Sequence, residues 1–331
     1  MKVLVTGGAG FLGTALARAL LDSRTLRGSD GRPAQVSQLT LIDIAASRLA
    51  PDPRVRTLVG SVTDPHVVEQ ALEPDTDVIF HLAAVVSGQA EADFDLGMRA
   101  NFDATRLLLE RARHDARKPR FVLASSVAVF GGVLPAVVGD DTAPTPQSSY
   151  GTQKLLCELL MSDYSRKGFV DGRALRMPTI CVRPGAPNKA ASSFASGIIR
   201  EPLAGQSAVC PVSRDTLMWL MSPKCAITNL LHGQSLEPEA LGNVRAINMP
   251  GLSISVGEMV DVLERFAGAA TADLVKWEPD PNVERIVNSW PGRFATPRAS
   301  ALDFKADANF ADIVRAYIDA TGVRATSSAA T

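Results

Sequence analysis

The chain has 331 residues, with 34 basic and 35 acidic side chains, and 46% of its residues are hydrophobic. This length permits one large domain or two lobes, and the even charge balance gives no indication of a nucleic acid or an anionic membrane as a partner. No apolar run reaches the roughly 20 residues that a membrane-spanning helix needs, and a predicted strand at residues 2–6 leaves no room for a signal peptide, so a cytoplasmic protein is expected.

Short apolar runs alternate with amphipathic stretches through the first half of the chain. The predicted strands are 2–6, 39–44, 77–84, 119–126 and 172–180. The predicted helices are 11–23, 65–73, 93–116 and 150–167. Because such an alternation builds a parallel sheet with helices on both faces, the sequence predicts an α/β fold that binds ligands at the carboxyl ends of its strands.

The remaining segments have less regular patterns. Residues 24–38 are polar and contain glycine, which predicts a surface insertion before the second strand. Small, polar and proline residues at 183–197 exclude a buried strand and indicate a substrate loop. Farther along, 208–233 and 245–251 are predicted to return to the first domain and 255–267 to form a helix, whereas 322–331 are expected to be a disordered tail.

The cysteines and histidines give no indication of a disulfide framework or a metal site. Four cysteines are scattered without C-x-x-C spacing, a pattern typical of reduced, packed thiols. No pair of histidines has the spacing of metal ligands, so no metal is expected. His81 lies inside an apolar run and is predicted to be a hydrogen-bonded core residue.

A glycine-rich turn follows the first predicted strand. In "TGGAGFLG", residues 6–13, Gly7, Gly10 and Gly13 are spaced three apart. Glycine accepts positive φ and has no Cβ to block a ligand, and the N-terminus of the next helix attracts negative charge. The spacing differs from G-x-G-x-x-G, so either a phosphate site or an ordinary strand–helix connection fits the pattern.

Asp43 is predicted to end the second strand of the sheet. It lies farther from the glycines than the usual ~20 residues because the insertion at 24–38 precedes it. A carboxylate there can accept hydrogen bonds from both ribose hydroxyls of adenosine, which favours NAD and repels the extra phosphate of NADP. The alternative is an aspartate that serves as a turn or cap residue.

Tyr150 and Lys154 lie one helical turn apart at the start of a predicted helix. A tyrosine has an ordinary pKa near ~10, so it is a poor base at neutral pH unless a neighbouring ammonium stabilises the phenolate. Ser125 and Ser126 end another apolar strand, where their hydroxyls could bind a substrate alcohol. Alone, the pair also fits a partly buried tyrosine with an exposed lysine, and the two serines favour an active site that acts on an alcohol.

The segments "TGGAGFLG", "HLAA", "SSVAVFG", "YGTQK" and "RPG" together resemble the extended short-chain dehydrogenase/reductase superfamily, whose members include NAD-dependent epimerases and dehydratases. The resemblance covers nearly the whole chain. It implies a Rossmann-type doubly wound parallel sheet that binds NAD, formed by residues 1–180 with the two returning segments. It also implies a smaller C-terminal substrate-binding lobe, formed by 181–207 and 252–320.

Three longer segments, 81–105, 178–212 and 247–259, resemble dehydrogenases of a four-carbon sugar acid within that superfamily. The implied reaction is oxidation of the C2 hydroxyl to a 2-oxo acid by hydride transfer to NAD. Relatives that act on nucleotide sugars often read "NVYGP" where this chain reads "PTICVRPG", which disfavours a nucleotide sugar as the substrate. A nucleotide-sugar epimerase or dehydratase and a non-catalytic NAD sensor remain the alternatives.

The resemblance also implies roles for individual residues. It makes Tyr150 the general base, Ser126 the catalytic hydroxyl, and Lys154 the residue that holds the nicotinamide ribose. Ser61 stands where many relatives have aspartate, so the adenine contact is expected to fall to Val62 and Asp64. The residues expected to bind NAD are Gly7, Gly10, Phe11, Leu12, Gly13, Asp43, Val62, Asp64, Leu82, Ala83, Asn101, Tyr150 and Lys154.

A small sugar acid needs donors for its carboxylate and partners for its hydroxyls, because a buried charge without a partner is costly. Two loops supply such groups, together with the active-site hydroxyls. The residues expected to bind the substrate are Ser87, Gln89, Ser125, Ser126, Tyr150, Arg183, Asn188 and Ser192. Relatives pair through helices that correspond to 93–116 and 150–167, so a homodimer is expected.

Overall fold

The computed structural model describes residues 1–22, 25–28, 30–114 and 117–323. The strands are β1 Lys2–Thr6, β2 Leu26–Arg27, β3 Pro33–Ala34, β4 Gln38–Asp43, β5 Val55–Val59, β6 Val78–His81, β7 Arg120–Ser126, β8 Asp171–Met177, β9 Thr179–Ile180, β10 Ala208–Cys210, β11 Leu217–Met221, β12 Ala246–Asn248, β13 Leu252–Ser255 and β14 Val275–Trp277. The expected tail at 322–331 lies outside the described residues except for its first two.

The helices vary from single turns to five turns. They are α1 Phe11–Asp22, α2 Pro65–Ala71, α3 Ser87–Ala92, α4 Phe94–Gly97, α5 Ala104–Arg113, α6 Ser149–Arg166, α7 Phe194–Leu203, α8 Pro223–Ser235, α9 Pro238–Leu241, α10 Val256–Ala267, α11 Ala269–Ala272, α12 Pro281–Val287, α13 Pro297–Ala301 and α14 Phe310–Thr321. A π-helical segment, Met98–Asp103, joins α4 to α5, and a short 3-10 helix, Val127–Val129, follows β7. None of the helices in the described ranges is long and apolar enough to cross a membrane.

A seven-stranded parallel sheet is the centre of the first of two compact units, and its strand order is β12-β8-β7-β6-β1-β4-β5. This first unit comprises 1–129, 149–176 and 227–248. The strand order reverses between β1 and β6, which is the switch point where doubly wound sheets bind ligands. The predicted Rossmann-type α/β fold is therefore confirmed.

Apolar residues of the sheet form the core of the first unit with the flanking helices. Leu4, Ile79 and Leu123 of the sheet are fully buried and belong to one cluster with Leu108 of α5 and Met161 of α6. His81, at the end of β6, is also buried, and its ring nitrogens lie 2.7 Å from Thr6 Oγ1 and 2.9 Å from Thr105 Oγ1. Burial, with a smaller effect from the charge of Lys154, lowers the pKa of His81 to about 3. The prediction of a hydrogen-bonded core histidine is confirmed.

The second unit comprises 130–148, 177–226 and the chain from 249 onward. It contains a three-stranded sheet in the order β13-β11-β9 and the parallel pair β10–β14. Its core joins Ile198 of α7, Leu220 of β11, Leu263 of α10 and Val314 of α14. Helix α10, expected at 255–267, begins with a capping box in which Ser255 and Glu258 exchange hydrogen bonds.

The boundaries of the two units differ from the expected domains. The sequence predicts one strand at 172–180, whereas the structure divides it at Pro178, which has no N–H for a sheet, into β8 in the first unit and β9 in the second. The segment 208–226, expected to return to the first domain, lies in the second unit, where β11 pairs with β9 and β13. The other returning segment does reach the central sheet, because β12 pairs with β8.

Candidate active site

The glycine turn after β1 is closely packed. Gly7 has a φ of +71°, and a Cβ there would lie 2.9 Å from the backbone nitrogen of Ala83. A Cβ on Gly13 would lie 2.0 Å from the carbonyl oxygen of Gly7. Gly10, in contrast, is exposed, and its Cβ would approach only Gly7 O, at 3.1 Å. Gly7 and Gly13 are therefore required by the turn itself, and Gly10 marks the side from which a ligand can approach the backbone.

The first turn of helix α1 adds backbone donors to this glycine turn. Helix α1 begins at Phe11, so Phe11 and Leu12 have no carbonyl one turn earlier in the helix to accept from their N–H groups. The positive end of the helix dipole is at the same place. The Leu82–Ala83 backbone packs against Gly7. This turn has the chemistry of a phosphate site.

Asp43 ends β4 beside the glycine turn and is partly buried. Its Oδ2 accepts a hydrogen bond from Ala9 N at 3.0 Å, and its Oδ1 accepts one from Ala45 N at 3.1 Å. Each carboxylate oxygen has a further lone pair, so the side chain can stabilise the turn and still accept hydrogen bonds from a ribose. Asp43 can therefore stabilise the turn and bind the adenosine ribose at the same time.

Two exposed apolar residues near Asp43 were missed by the sequence reasoning. Ile44 follows Asp43 and is 79% exposed, and Val59, at the end of the neighbouring β5, is 64% exposed. Val62 is instead buried in the core, and Asp64 caps α2 by accepting a hydrogen bond from His66 N at 2.9 Å. Because the fold already accounts for Val62 and Asp64, Ile44 and Val59 are stronger candidates for contact with an adenine ring. The available signal was an apolar residue directly after a strand-end aspartate.

Asn101 lies in the π-helical segment and is buried. Its Oδ1 accepts a hydrogen bond from Val85 N at 2.8 Å, while its Nδ2 donates to Val85 O at 3.1 Å and to Gln153 Oε1 at 2.7 Å. The side chain therefore holds the loop after β6 in place. That loop leads to α3, in which Ser87 is buried and Gln89 is partly buried.

Helix α6 brings Tyr150 and Lys154 to the end of β7. Lys154 is buried, its Nζ donates to the carbonyl oxygen of Ala124 at 2.9 Å, and the same atom lies 5.6 Å from the centre of the Tyr150 ring. An ammonium group has three donors, and this is the one hydrogen bond that the described residues provide for Lys154. Its positive charge therefore lies beside the Tyr150 ring.

The two serines at the end of β7 have different environments. The partly exposed Ser126 accepts a hydrogen bond from Ala128 N at 3.1 Å, so its own O–H remains available as a donor. Ser125 is buried and donates to the carboxylate of Glu158. Successive residues of a strand point to opposite faces, which explains the difference. In the structure described, Ser126 is therefore the more available hydroxyl, and contact of Ser125 with the substrate stays a prediction.

In the second unit, the backbone of Arg183 is fixed by helix α7. Its N–H donates to Ser196 Oγ at 3.0 Å, and its carbonyl oxygen accepts from Arg200 Nη1 at 2.7 Å. Burial, followed by the charge of Arg200, lowers the pKa of Arg183. The guanidinium group makes no hydrogen bond or ion pair with any residue in the described ranges. It is a partly desolvated cation suited to an anionic ligand.

The other candidates in this loop have more local roles. Asn188 Oδ1 accepts a hydrogen bond from Ala190 N at 3.1 Å, and Asn188 N donates to Ser193 Oγ at 3.1 Å. Ser192 is partly buried, and its carbonyl oxygen accepts from Ala195 N at 3.1 Å. Lys189 is exposed. These contacts fold the loop on itself and leave Arg183 as its strongest candidate for a charged ligand.

Known proteins are similar to this chain over most of its length. Residues 3–219 match the family described as NAD dependent epimerase/dehydratase. The chain is 57% identical to D-erythronate dehydrogenase of Cupriavidus necator, over 98% of this chain and 99% of that protein. It is 47% identical to D-erythronate dehydrogenase of Haemophilus influenzae, over 96% and 99% of the two chains.

The chain is also similar to a solved structure of a protein that is named as an epimerase. The nucleoside-diphosphate-sugar epimerase of Agrobacterium tumefaciens is 41% identical to this chain and superimposes with a TM-score of 0.88. The match covers 98% of this chain and 96% of that protein.

Proposed function

Because the chain belongs to the NAD dependent epimerase/dehydratase family, we propose that it is a dehydrogenase that oxidises the C2 hydroxyl of D-erythronate to 2-oxo-D-erythronate. NAD is its cofactor. The substrate is inferred from the two relatives that bear this name and match almost the full length of both chains. The observation that carries the chemistry is Lys154, which bonds to the end of β7 and lies beside the Tyr150 ring.

The first unit has the groups that NAD requires. The exposed Gly10 and the first amides of α1 suit a pyrophosphate, and Asp43 retains acceptors for the adenosine ribose. Lys154 retains two donors, which suit the two hydroxyls of the nicotinamide ribose. When bound, NAD accepts the hydride that leaves C2 of the substrate. We propose that the first unit binds NAD and the second supplies substrate contacts.

The proton of the C2 hydroxyl is taken by Tyr150 in this proposal. Lys154 stabilises the phenolate by its charge, and Ser126 donates a hydrogen bond to the alcohol oxygen and orients it. Oxidation of an alcohol removes a proton from oxygen and a hydride from the same carbon. Tyr150 therefore accounts for the proton, and the positioned alcohol presents its C–H bond for hydride transfer.

Arg183 is the proposed partner of the substrate carboxylate. A guanidinium group can bind both oxygens of a carboxylate at once, and the backbone of Arg183 is already fixed by Ser196 and Arg200. Ser87, Gln89, Asn188 and Ser192 are the proposed partners of the remaining substrate oxygens. A sugar acid, rather than an apolar alcohol, is the class of substrate that uses such a set.

A second candidate function is epimerisation of a nucleotide sugar, which the name of the Agrobacterium relative favours. An epimerase returns the hydride to its substrate and so produces no net NADH, whereas a dehydrogenase releases NADH. The experiment is to supply NAD with D-erythronate, other four- and five-carbon sugar acids, or nucleotide sugars, and to record NADH absorbance and the product mass. We expect NADH and a 2-oxo acid in equal amounts from D-erythronate. Conversion of a nucleotide sugar without net NADH, and no reaction with the acids, would identify the epimerase.

We further propose a cytoplasmic homodimer. The four cysteines are free and buried, as expected in a reducing compartment. The first unit exposes Phe94 of α4 and Leu159 of α6, on the helices through which relatives are expected to pair. Light scattering should give the mass of two chains, and Leu159→Glu should give the mass of one. A monomeric parent chain would contradict the proposal.

A further inference from the structure

A second charged side chain of α6 reaches the end of β7, one turn after Lys154. Glu158 is 2% exposed, and its Oε2 lies 2.8 Å from Arg176 Nη2. Arg176 Nε lies 3.1 Å from each of the two carboxylate oxygens. The remaining contact of the carboxylate is the hydroxyl of Ser125, which donates to Oε1. Glu158 therefore joins α6, the end of β7 and the end of β8 in one buried network.

The network extends to another strand of the central sheet. Arg176 Nη1 donates to Asn248 Oδ1 at 3.1 Å, at the end of β12. All the residues of the network lie at the carboxyl ends of parallel strands or on the helix that carries Tyr150. This is the edge of the sheet where such folds perform chemistry.

Stability alone gives a weak reason for this ion pair. Withdrawing two charges from water is expensive, and replacing a buried pair by apolar side chains of similar volume is often neutral or stabilising. The geometry of this pair is specific, since the guanidinium fork engages both carboxylate oxygens. A buried pair with this geometry holds its neighbours in one arrangement, and its neighbour on β7 is Ser125.

We propose that Glu158 is a positioning residue for the catalytic groups, and that it acts through the Ser125 hydroxyl. Lys154 bonds to the carbonyl oxygen of Ala124, and Glu158 binds the side chain of the next residue. The two attachments are one helical turn apart on α6, about 6 Å along its axis. Because the sheet holds the strand, two attachments fix both the position and the orientation of α6 against the end of β7, whereas one would fix its position alone. The inference rests on the proposed roles of Tyr150, Lys154 and Ser126.

The substitution Ser125→Ala tests positioning without disturbing the ion pair. It removes the hydrogen bond between Glu158 and β7 and retains both Glu158 and Arg176. A matched control is Ser165→Ala on the same helix. Ser165 Oγ donates to Met161 O at 2.8 Å and accepts from Gly172 N at 3.0 Å, so its loss also removes a hydroxyl with two local contacts. We expect Ser125→Ala to lower kcat about 10-fold or more, because a small misplacement of reacting groups is costly. Ser165→Ala should leave kcat unchanged.

A spectroscopic titration tests the inference without substrate or NAD. Phenolate absorbs ultraviolet light that phenol does not, and subtracting the titration of Tyr150→Phe isolates Tyr150 from the chain's two other tyrosines. In Ser125→Ala the midpoint should rise by about half a pH unit or more, because Lys154 is held less closely beside the ring. Arg176→Lys, which keeps the charge and loses the fork, should give a smaller rise and serves if Ser125→Ala does not fold.

A Tyr150 midpoint that is the same in the parent chain and in a folded Ser125→Ala or Arg176→Lys variant would overturn the inference, whatever the effect on thermal stability. Because this readout needs neither D-erythronate nor turnover, failure of the proposed substrate leaves it interpretable. A rise in the midpoint without activity on D-erythronate would support positioning and reject the substrate.

Discussion

The end of β7 with helix α6 and the loop around Arg183 are built differently. In the first region, Lys154 and Glu158 are buried, and each reaches β7 through a hydrogen bond. In the second, helix α7 fixes the backbone of Arg183, while the guanidinium group makes no hydrogen bond or ion pair with a residue in the described part of the chain. The first region has most of its polar groups satisfied internally, and the second presents a polar group to a ligand.

This difference separates two tasks. General acid–base chemistry depends on reacting groups held within a few tenths of an ångström, which a helix and a strand connected by buried hydrogen bonds can provide. Recognition of a particular acid depends on side chains that can vary without damage to the fold, and loops serve this purpose. Substitutions in the first region should therefore reduce reaction with every substrate, and substitutions in the second should discriminate among substrates.

Among substitutions in the two regions, Lys154→Met is expected to reduce kcat/KM most. The substitution keeps an unbranched side chain in the buried site but removes the charge beside Tyr150 and the donors for the ribose. We expect kcat/KM to fall by a factor on the order of 10³, for all sugar acids alike, and NAD to bind more weakly. Steady-state rates and NAD titration measure the two effects. Lys167→Met, at an exposed lysine just after α6, should alter neither.

Arg183→Ala should have a smaller and more selective effect. Loss of a charged hydrogen-bond partner should reduce kcat/KM for D-erythronate by about 10- to 100-fold. The uncharged amide of the same acid should lose much less, because it offers no carboxylate. Lys189→Ala, at an exposed residue of the same loop, is the control. Equal losses for acid and amide would show that Arg183 does not recognise charge.

His81 should make the stability of the first unit depend on pH. Its pKa is lowered to about 3 in the folded protein from an ordinary value of 6.5, so the unfolded chain binds a proton that the folded one does not. The contribution of His81 is complete above pH 6.5 and decreases as the pH falls toward 3. Between pH 7 and pH 5, the free energy of unfolding should decrease by about 2 kcal/mol on this account.

Denaturant unfolding at the two pH values measures this effect. His81→Gln should remove that part of the pH dependence, whereas His66→Gln, at an exposed histidine, should retain it. The same slope in His81→Gln and in the parent chain would show that other groups are responsible.

Asp43→Ala should reduce activity less than Lys154→Met or Arg183→Ala. Loss of the acceptors for the adenosine ribose should raise the KM for NAD about 10-fold and leave activity with NADP nearly unchanged. Because Asp43 also binds Ala9 N and Ala45 N, Asp43→Asn is the control that keeps an oxygen acceptor while removing the charge. The same preference for NAD over NADP in both variants and the parent would remove Asp43 from the cofactor site.

Apolar periodicity predicted the buried part of the fold well. Strands β1, β4, β6 and β7 consist mostly of buried apolar residues, so their runs are visible in the sequence, and β8 keeps a short apolar run between two buried arginines. Strand β5 was missed because it lies at the edge of the sheet and has exposed residues among its five. The helix expected at 93–116 is divided into α4, a π-helical segment and α5. Apolar periodicity does not distinguish a π-helical segment from the α-helices on either side of it, here the segment that carries Asn101.

The candidate site could be predicted where a short sequence motif contains its residues. The spacing from Tyr150 to Lys154 and the spacing of the glycines both follow from backbone geometry. The direction of a side chain at a strand end depends instead on its tertiary partner. Nothing near Ser125 in the sequence indicates that Glu158, on a later helix, accepts its hydroxyl.

The most direct test of the account is the rate of NADH formation from D-erythronate by Tyr150→Phe, measured with saturating NAD. The substitution keeps the aromatic ring and its packing and removes only the ionisable hydroxyl. The account predicts a normal fold, normal NAD affinity, and a turnover lower by a factor on the order of 10² to 10⁴ than in the parent chain. Near-parental turnover in a variant that binds NAD normally would contradict the assignment of Tyr150 as the base.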